Sequence, residues 1–180
     1  MEAAARSARG HFDRIDLLVN NAAIQYTPRF VDDDFEFATI EREISVNFTA
    51  VCALTALLLP ALNHGGEAAI VNVNSGLGLV PKTSSAVYCA TKAAVNVFSQ
   101  SLRYQLENTD VQVLQAFVPL VDTAMTKGRG AHKLSPADAA HAVLRGVERG
   151  IEDNDIGKIR LLRSLLRFAP GIARRIMKAA

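Results

Sequence analysis

The sequence lacks the features that would assign it to several specialised classes of protein. Its formal net charge is only +2 over 180 residues, so bulk charge gives no reason to expect a nucleic-acid partner. Its two cysteines, Cys52 and Cys89, do not have CxxC spacing, and its first residues do not form the apolar stretch of a signal peptide. We therefore expect a cytoplasmic protein with reduced thiols and no metal site.

Long apolar runs are also scarce. A run such as Val51 to Leu62 is short and is interrupted by threonine and cysteine, which argues against a membrane span. Apolar residues nevertheless make up 49% of the chain and charged residues 21%, without repeats or low-complexity tracts. That composition is sufficient to close a hydrophobic core, so the sequence predicts one soluble domain over residues 1–180.

Short apolar runs alternate with longer helical patterns along the chain, which is typical of α/β proteins. Three segments have the continuous apolar character of strands that are buried on both faces of a parallel sheet. They are residues 15–20, 68–74 and 111–118. Because the intervening segments are helical, we expect right-handed crossovers and a ligand site at the carboxyl ends of the strands.

The helices between and after these strands have recognisable starts and ends. Three aspartates at 32–34 predict acidic capping of a helix whose apolar positions repeat as far as Leu62. A second helix is predicted over residues 85–107. A third should begin at Ser135, where a serine cap precedes proline and aspartate, and should end at Gly150.

Polar and small residues follow each of the three predicted strands. Asn20-Asn21-Ala22-Ala23 follows the first strand, Asn74-Ser75-Gly76 the second, and residues 118–123 the third. These segments would bring amides and hydroxyls to one edge of the sheet. Asn47 lies on the apolar stripe of the first helix, where an unpaired amide would cost roughly 1–3 kcal/mol, so it needs partners.

Tyr88 and Lys92 are four residues apart in the second predicted helix and therefore share a face. An ammonium group near a phenol favours the phenolate and would lower the tyrosine pKa from about 10 toward neutral. Such a phenol exchanges protons at neutral pH, and Ser75 could hold a substrate oxygen against it. Each feature also has an ordinary explanation. Tyr88 and Lys92 would then be a surface pair and Ser75 a turn residue. Asn20-Asn21 would be part of a loop, and Asn47 a core amide with satisfied hydrogen bonds.

Taken together, these residues resemble the short-chain dehydrogenase/reductase family. IDLLVNNAA resembles the family's Asn-Asn-Ala-Gly strand end, with Ala23 in place of the usual glycine, and Asn47 in ISVNFTAV falls at the active-site asparagine. IVNVNSGLG resembles the serine-bearing strand end. Ser75 precedes Tyr88 by thirteen residues and Lys92 follows it by four, which are the family's own spacings. The resemblance implies a Rossmann-like, doubly wound parallel sheet with helices on both faces.

The resemblance also implies a function. A hydride would pass between NAD or NADP and a small-molecule carbonyl or alcohol, with Tyr88 as general acid/base and Ser75 orienting the substrate oxygen. Lys92 would lower the pKa of the tyrosine and hold the nicotinamide ribose, and Asn47 would hold a proton-relay water. The cofactor-binding residues implied by the motifs are Asn20, Ala22, Tyr88, Lys92, Val121 and Thr123.

One part of the family pattern is absent from the sequence. Family members begin with a strand, a glycine-rich turn and a helix that bind the pyrophosphate, and this sequence contains no such motif. The first three strands of the family fold are therefore expected to be missing, which leaves a single partial domain with an exposed apolar edge. The residue that distinguishes NAD from NADP is missing with them, and efficient turnover by the chain as written is not expected.

The C-terminal segment, residues 156–180, is basic and amphipathic. Seven lysines or arginines and no acidic residue lie between positions 158 and 180. Together with the PLVDTAMT stretch, this segment resembles the bacterial oxidoreductases of the Dlt-operon type. Two alternatives stay open for it: a helix packed on the domain, or weak contact with an anionic membrane surface in a non-catalytic binding or regulatory protein. By resemblance, a homo-oligomer would form through helices 36–62 and 85–107.

Overall fold

The computed structural model describes residues 2–178, and within them four strands form one parallel sheet in the order β1-β2-β3-β4. The strands are β1 (Leu17–Asn20), β2 (Ala68–Ser75), β3 (Val111–Val118) and β4 (Asp153–Asp155). The helices are α1 (Glu2–His11), α2 (Ala38–Ile44), α3 (Ala50–Leu62), α4 (Ala86–Leu106), α5 (Pro136–Glu148), α6 (Ile159–Phe168) and α7 (Pro170–Lys178). The predicted Rossmann-like α/β class is confirmed.

The register of the sheet places the ends of its strands side by side. Asn20 at the end of β1 is opposite Asn72, and Ser75 at the end of β2 is opposite Val118. Because all four strands run the same way, the segments that follow them meet at one edge, as the sequence predicts. The strand β4 was not predicted: it has only three residues, Asp153–Asp155, and none of them is apolar.

The first long helix differs from the prediction at its start. Its N-terminal flanking residue is Phe37, without a side-chain cap, so the prediction that the aspartates at 32–34 cap it is wrong. Asp32 instead binds Arg29, 2.8 Å from its Nε and 2.6 Å from its Nη2. A wide turn with π-type hydrogen bonding, Ser45–Thr49, joins α2 to α3. Such turns are frequent at functional sites.

The joined helix also corrects the expectation about membrane spans. Ala38–Leu62 is 25 residues long with a mean hydropathy of 1.8, and by length and composition alone it could cross a membrane. The apolar run from Val51 to Leu62 underestimates the length of this helical segment, because the wide turn Ser45–Thr49 does not interrupt the helix. This is weak evidence for a span, since the core helix of a soluble protein passes the same test.

The other two predicted helices are confirmed, with bounds within two residues of those expected. Ser135 caps α5 by accepting a hydrogen bond from the backbone N–H of Asp138 at 3.0 Å. Gly150 follows the helix with φ of 59°, a conformation in which glycine has no steric penalty. The cap and the glycine therefore fix the helix that packs against β3.

Two clusters of buried apolar residues cover the faces of the sheet. On one face, Leu58 and Leu62 of α3 and Leu102 of α4 pack against Ile70 and Val113. On the other face, α5 covers Val71 and Leu114. The prediction that residues 15–20 form a strand buried on both faces is wrong, since Leu17 is 39% exposed and Val19 43% exposed. No strand lies on the outer side of β1 in the described part of the chain, which leaves the predicted apolar edge uncovered.

The basic C-terminal segment forms α6 and α7, which pack on the domain. Ile159, Leu162 and Ala173 are buried with Phe117 and Val80 in a third apolar cluster. The outer surface of the two helices keeps two large apolar side chains, Phe168 and Ile172, exposed among arginines.

Candidate active site

A cavity of about 1240 Å³ lies at the carboxyl edge of the sheet. Its wall contains Ser75, Tyr88 and Lys92, which the sequence places in one site. Segments that follow β1, β2 and β3 complete the wall, together with parts of α5, α6 and α7. Three of the four predicted catalytic residues therefore share one cavity.

Tyr88 and Lys92 lie on the buried face of α4. They are 8% and 5% exposed, and the Lys92 Nζ atom is 5.8 Å from the centre of the Tyr88 ring. Lys92 donates a hydrogen bond from Nζ to the backbone carbonyl of Val73 at 2.8 Å, which fixes the ammonium against β2. The i, i+4 spacing thus places the ammonium of Lys92 beside the ring of Tyr88.

The pKa of the phenol shifts opposite to the sequence prediction. Burial raises the pKa of Tyr88 to about 12, while the hydrogen bond with Ser75 and the charge of Arg129 act in the other direction. Burial also lowers the pKa of Lys92 to about 8. Desolvation therefore dominates the pKa of Tyr88, the expected lowering by Lys92 is not found, and the residue is a protonated phenol at neutral pH.

The buried lysine gives a prediction for stability. Lys92 has a pKa of about 8 when folded against an ordinary 10.5, so between these values the unfolded chain binds more protons. The free energy of unfolding should therefore rise by about 2–3 kcal/mol between pH 8 and pH 10.5 relative to Lys92→Met, because one pKa unit is worth about 1.4 kcal/mol. Urea unfolding of both proteins at several pH values measures it, and parallel curves would contradict it.

Asn47 holds α4 beside the loop that follows β1. It is 1% exposed, and its amide donates from Nδ2 to the carbonyl of Ile24 at 2.8 Å and accepts at Oδ1 from the N–H of Ile24 at 2.9 Å. Nδ2 also donates to Thr91 Oγ1 at 3.2 Å, and Thr91 in turn donates to the backbone carbonyl of Tyr88 at 2.8 Å. The predicted need for partners is met, and these contacts leave Asn47 behind the cavity wall.

A buried amide network positions Ser75. Asn74 accepts from the N–H of Ser75 at 2.8 Å and donates to Gln115 at 2.9 Å. Gln115 donates to Asn96 of α4 at 3.0 Å and to Asp153 of β4 at 3.1 Å. The amide of Asn74 thereby ties the end of β2 to β3. Ser75 Oγ accepts a hydrogen bond from the N–H of Leu77 at 3.2 Å, which orients the hydroxyl.

Gly78 is required where the loop after Ser75 touches α4. A Cβ atom there would lie 2.8 Å from both the carbonyl carbon and the carbonyl oxygen of Lys92. Because these are backbone atoms of the helix that carries Tyr88, Gly78→Ala should lower the free energy of unfolding by about 1–3 kcal/mol. Gly171→Ala is the matched control, with no atom within 4 Å. Chemical unfolding of both variants measures the difference, and equal stability would contradict the prediction.

The predicted cofactor-binding residues are placed differently from one another. Ala22, Val121 and Thr123 line the cavity. The amide of Asn20 donates to Asn72 at 2.8 Å, between β1 and β2, and it is Asn21 that lines the cavity. Contact of Asn20 with a cofactor therefore stays a prediction. In this structure its side chain links β1 to β2 through the hydrogen bond to Asn72.

The segment after Val121 is held by local hydrogen bonds. Thr123 and Thr126 bind each other reciprocally around a short turn, Ala124–Thr126, and Thr126 Oγ1 donates to the carbonyl of Val121 at 2.5 Å. Lys133 bridges Asp122 at 3.2 Å and the carbonyl of Thr126 at 2.7 Å. This arrangement presents Arg129 to the cavity and turns Lys133 away from it.

Sequence reasoning missed several residues of the cavity. Lys82 and Gln25 line it, and neither belongs to a motif considered above. Arg129 donates to Gln25 Oε1 at 2.8 Å and to the carbonyl of Met125, and Gln25 donates to Ser85 at 3.1 Å. The position of Lys82 between Ser75 and Tyr88 in the chain was the one available signal.

Comparison with known proteins gives matches of sequence and fold. The family model of short chain dehydrogenases matches residues 1–134. The chain is 42% identical over 126 residues to the oxidoreductase DltE of Bacillus subtilis, covering 70% of this chain and 50% of that protein. It thus spans about half the length of that curated relative.

Two solved structures share the fold. A Burkholderia cenocepacia short chain dehydrogenase in complex with NADP has a TM-score of 0.90 and 24% identity, covering 98% of this chain and 74% of that one. A short-chain dehydrogenase from Sphingobium yanoikuyae in complex with NADPH has a TM-score of 0.78 and 27% identity, covering 95% and 69%. The likeness extends over nearly all of the chain described above.

Proposed function

Because the chain belongs to the short chain dehydrogenase family, we propose that its cavity serves NAD- or NADP-dependent hydride transfer between nicotinamide and a carbonyl or alcohol. The observation that carries the proposal is the placement of Ser75, Tyr88 and Lys92 in one cavity. The two solved relatives named above hold NADP and NADPH, which supports a nicotinamide cofactor here.

The cavity has the features that the nicotinamide half of the cofactor needs. Lys92 presents a buried ammonium whose Nζ has one hydrogen bond, to Val73, in the described part of the chain, so further N–H donors are left for ribose hydroxyls. Ala22 allows close approach of the backbone, and Val121 and Thr123 would face the carboxamide. When bound, the cofactor would supply or accept the hydride.

Tyr88 would move the proton. With a pKa of about 12 it remains a phenol at neutral pH, and so is ready to donate to the oxygen of a carbonyl substrate. Ser75, with its hydroxyl fixed by Leu77, would hold that oxygen beside the phenol. In the free protein at neutral pH, Tyr88 would therefore be in the protonated form that carbonyl reduction requires.

Lys92 and Asn47 would support that transfer. The ammonium lies on the phenol side of the cavity and would stabilise the phenolate that remains after donation. Both Oδ1 and Nδ2 of Asn47 are hydrogen-bonded to Ile24 or Thr91, so we assign Asn47 a positioning role. Its side chain would not hold the relay water. Through Thr91 it fixes the backbone of Tyr88.

The experiment for this proposal is a direct assay of reduction. The 180-residue chain is incubated with NADH or NADPH deuterated at C4 and a panel of ketones and aldehydes, and deuterated alcohol is measured by mass spectrometry. Label in the product with the wild-type chain, and its loss in Lys92→Ala, is the expected result. A folded chain that transfers no label to any carbonyl would overturn the proposal.

A second candidate, contact with an anionic membrane surface, has a specific observation in its favour. Phe168 and Ile172 are 80% and 57% exposed among arginines on α6 and α7, and neither lines the cavity. Apolar side chains flanked by cations are typical of helices that lie on anionic lipid. The contact would involve the same segment whose other side packs on the domain.

Vesicle sedimentation tests this second candidate. Binding to phosphatidylglycerol vesicles should fall severalfold in Phe168→Ser and in 0.5 M salt, because both apolar insertion and charge contribute. Phe37→Ser is the control, since Phe37 is 82% exposed and lies outside the basic segment. Equal binding by all three proteins, or none by the wild type, would contradict it.

The resemblance also supports self-association, which we propose occurs through helices 36–62 and 85–107. Val97 and Tyr104 of α4 are 65% and 72% exposed, and Ile44 of α2 is 41% exposed. A second copy would cover these apolar side chains. Light scattering of the purified chain determines whether it does.

A further inference from the structure

The cavity contains an electrostatic feature that the proposed hydride transfer does not use. Four cationic residues line it and no aspartate or glutamate does, within the part of the chain that the structure describes. Lys92 is assigned to the catalytic group, and Lys158 lies on α6's N-terminal flank. That leaves Lys82 and Arg129, which come from two different loops.

Both loops place these cations close to Tyr88. The backbone of Lys82 hydrogen-bonds Cys89, the residue next to Tyr88 on α4. Arg129 is near enough for its charge to act on the phenol itself. Each side chain is half-buried, so each loses part of its solvation on folding.

Arg129 is held in place by neutral groups. It donates to Gln25 Oε1 at 2.8 Å and to the carbonyl of Met125, and Gln25 is itself tied to Ser85 at 3.1 Å. A guanidinium has five N–H donors, so these bonds orient the group and leave others free for a ligand. The bonds do not neutralise it.

The two cations act on each other without a compensating acid in the wall. Burial and the charge of Arg129 both lower the pKa of Lys82. The nearest acid in the loop, Asp122, is bound to Lys133 at 3.2 Å. Two partly desolvated like charges are unfavourable unless an anion joins them, and a bound anion would relieve this repulsion.

Much of the remaining wall of the same cavity is apolar. It is formed by Leu77 from the loop after Ser75 and by residues of α6 and α7. These are Leu161, Leu162, Leu165, Ile176 and Met177. A ligand that places a carbonyl at Tyr88 would therefore meet both cations and hydrocarbon in this cavity.

We propose that Lys82 and Arg129 form a subsite for an anionic group of the substrate, which is thus an oxo compound with a carboxylate or phosphate and an apolar portion. This inference rests on the proposed hydride transfer and assigns two specificity-determining residues to it. Arg129 would bind the anion through its free N–H groups, and Lys82 through its ammonium. The carbonyl oxygen would remain with Ser75 and Tyr88.

Matched pairs of substrates test the subsite with the chain as written. For the carboxylate, kcat/KM for 2-oxooctanoate and for 4-oxooctanoate is compared with kcat/KM for the corresponding methyl ester. For the phosphate, kcat/KM for dihydroxyacetone phosphate is compared with kcat/KM for dihydroxyacetone. We expect a preference for the charged member of at least one pair of about tenfold or more, since charge-assisted hydrogen bonds are about twice as strong as neutral ones. The carboxylate and phosphate pairs identify which anion is bound.

The variants separate charge from loop structure. Arg129→Gln and Lys82→Gln should each reduce the preference about tenfold, and Arg129→Lys should retain part of it. Lys127→Gln, in the same loop but exposed and outside the cavity wall, should leave the preference unchanged. The subsite would be overturned if the wild type showed no preference, or if Arg129→Gln and Lys82→Gln both kept the preference of the wild type. A loss of NADPH affinity with an unchanged preference would also overturn it, because the cations would then serve the cofactor.

Binding keeps the inference testable if hydride transfer itself fails. Titration calorimetry with 2-oxooctanoate and dihydroxyacetone phosphate requires no turnover. Saturable binding of one of them that is weakened about tenfold in Arg129→Gln, but not in Lys127→Gln, would support the subsite even in a chain that reduces nothing. Absence of binding by the folded wild-type chain, together with absence of turnover, would overturn it.

Discussion

Tyr88→Phe should reduce hydride transfer by about 10²–10⁴-fold, the usual contribution of a positioned general acid. The substitution removes one oxygen atom and leaves the ring in its buried position on α4. No other phenol or carboxylic acid lines the cavity within the described residues, so no neighbouring side chain of those types would replace the lost donor. Steady-state kcat with deuterated cofactor measures the effect.

Tyr104→Phe is the matched control for this substitution. Tyr104 is on the same helix, but it is 72% exposed and outside the cavity. Its variant should have wild-type kcat. If Tyr88→Phe retained activity within threefold of the wild type, the assignment of Tyr88 as proton donor would be wrong.

Asn47→Ala should lower the free energy of unfolding by about 2–4 kcal/mol. It removes both hydrogen bonds to the backbone of Ile24 and one to Thr91, at a position that is 1% exposed. The partly buried N–H and C=O groups of Ile24 would lose their partner, and each unsatisfied group costs about 1–3 kcal/mol when water does not replace it. Chemical denaturation at pH 7 measures the loss.

The same substitution should also change catalysis, because Asn47 is linked to Tyr88 through Thr91. We expect kcat to fall more than substrate affinity, since a displaced phenol affects the transition state most. Asn63→Ala, at the exposed end of α3, is the control and should alter stability by less than about 0.5 kcal/mol. If the two variants were equally stable, the assignment of Asn47 as a stabilising and positioning residue would be wrong.

The elements that the sequence predicts well are those with strong local signals. The helix α5 has a serine cap and a terminal glycine, and α4 has a long helical pattern, so their bounds follow from local chemistry. By contrast, β4 is three polar residues whose strand pairing with β3 depends on tertiary contacts. The wide turn Ser45–Thr49 has no local signal, and nothing local indicates that β1 lies at an uncovered edge.

The site was predictable in its spacing but not in its electrostatics. Spacing along a helix and between a strand end and a helix determines that Ser75, Tyr88 and Lys92 meet. The direction of the Tyr88 pKa shift depends on how deeply the phenol is buried, which is a property of the packed domain. Likewise, Arg129 reaches the cavity only because local turns around Thr126 direct the loop there.

The most direct test of the central claim, that this edge of the sheet binds a nicotinamide cofactor, is a fluorescence titration with NADH and NADPH. The chain contains no tryptophan, so the signal of the reduced nicotinamide is observed without tryptophan emission. We predict saturable binding at micromolar cofactor that is weakened at least tenfold in Lys92→Ala and unchanged in Lys127→Gln. Absence of binding up to millimolar cofactor by the folded wild-type chain would contradict it.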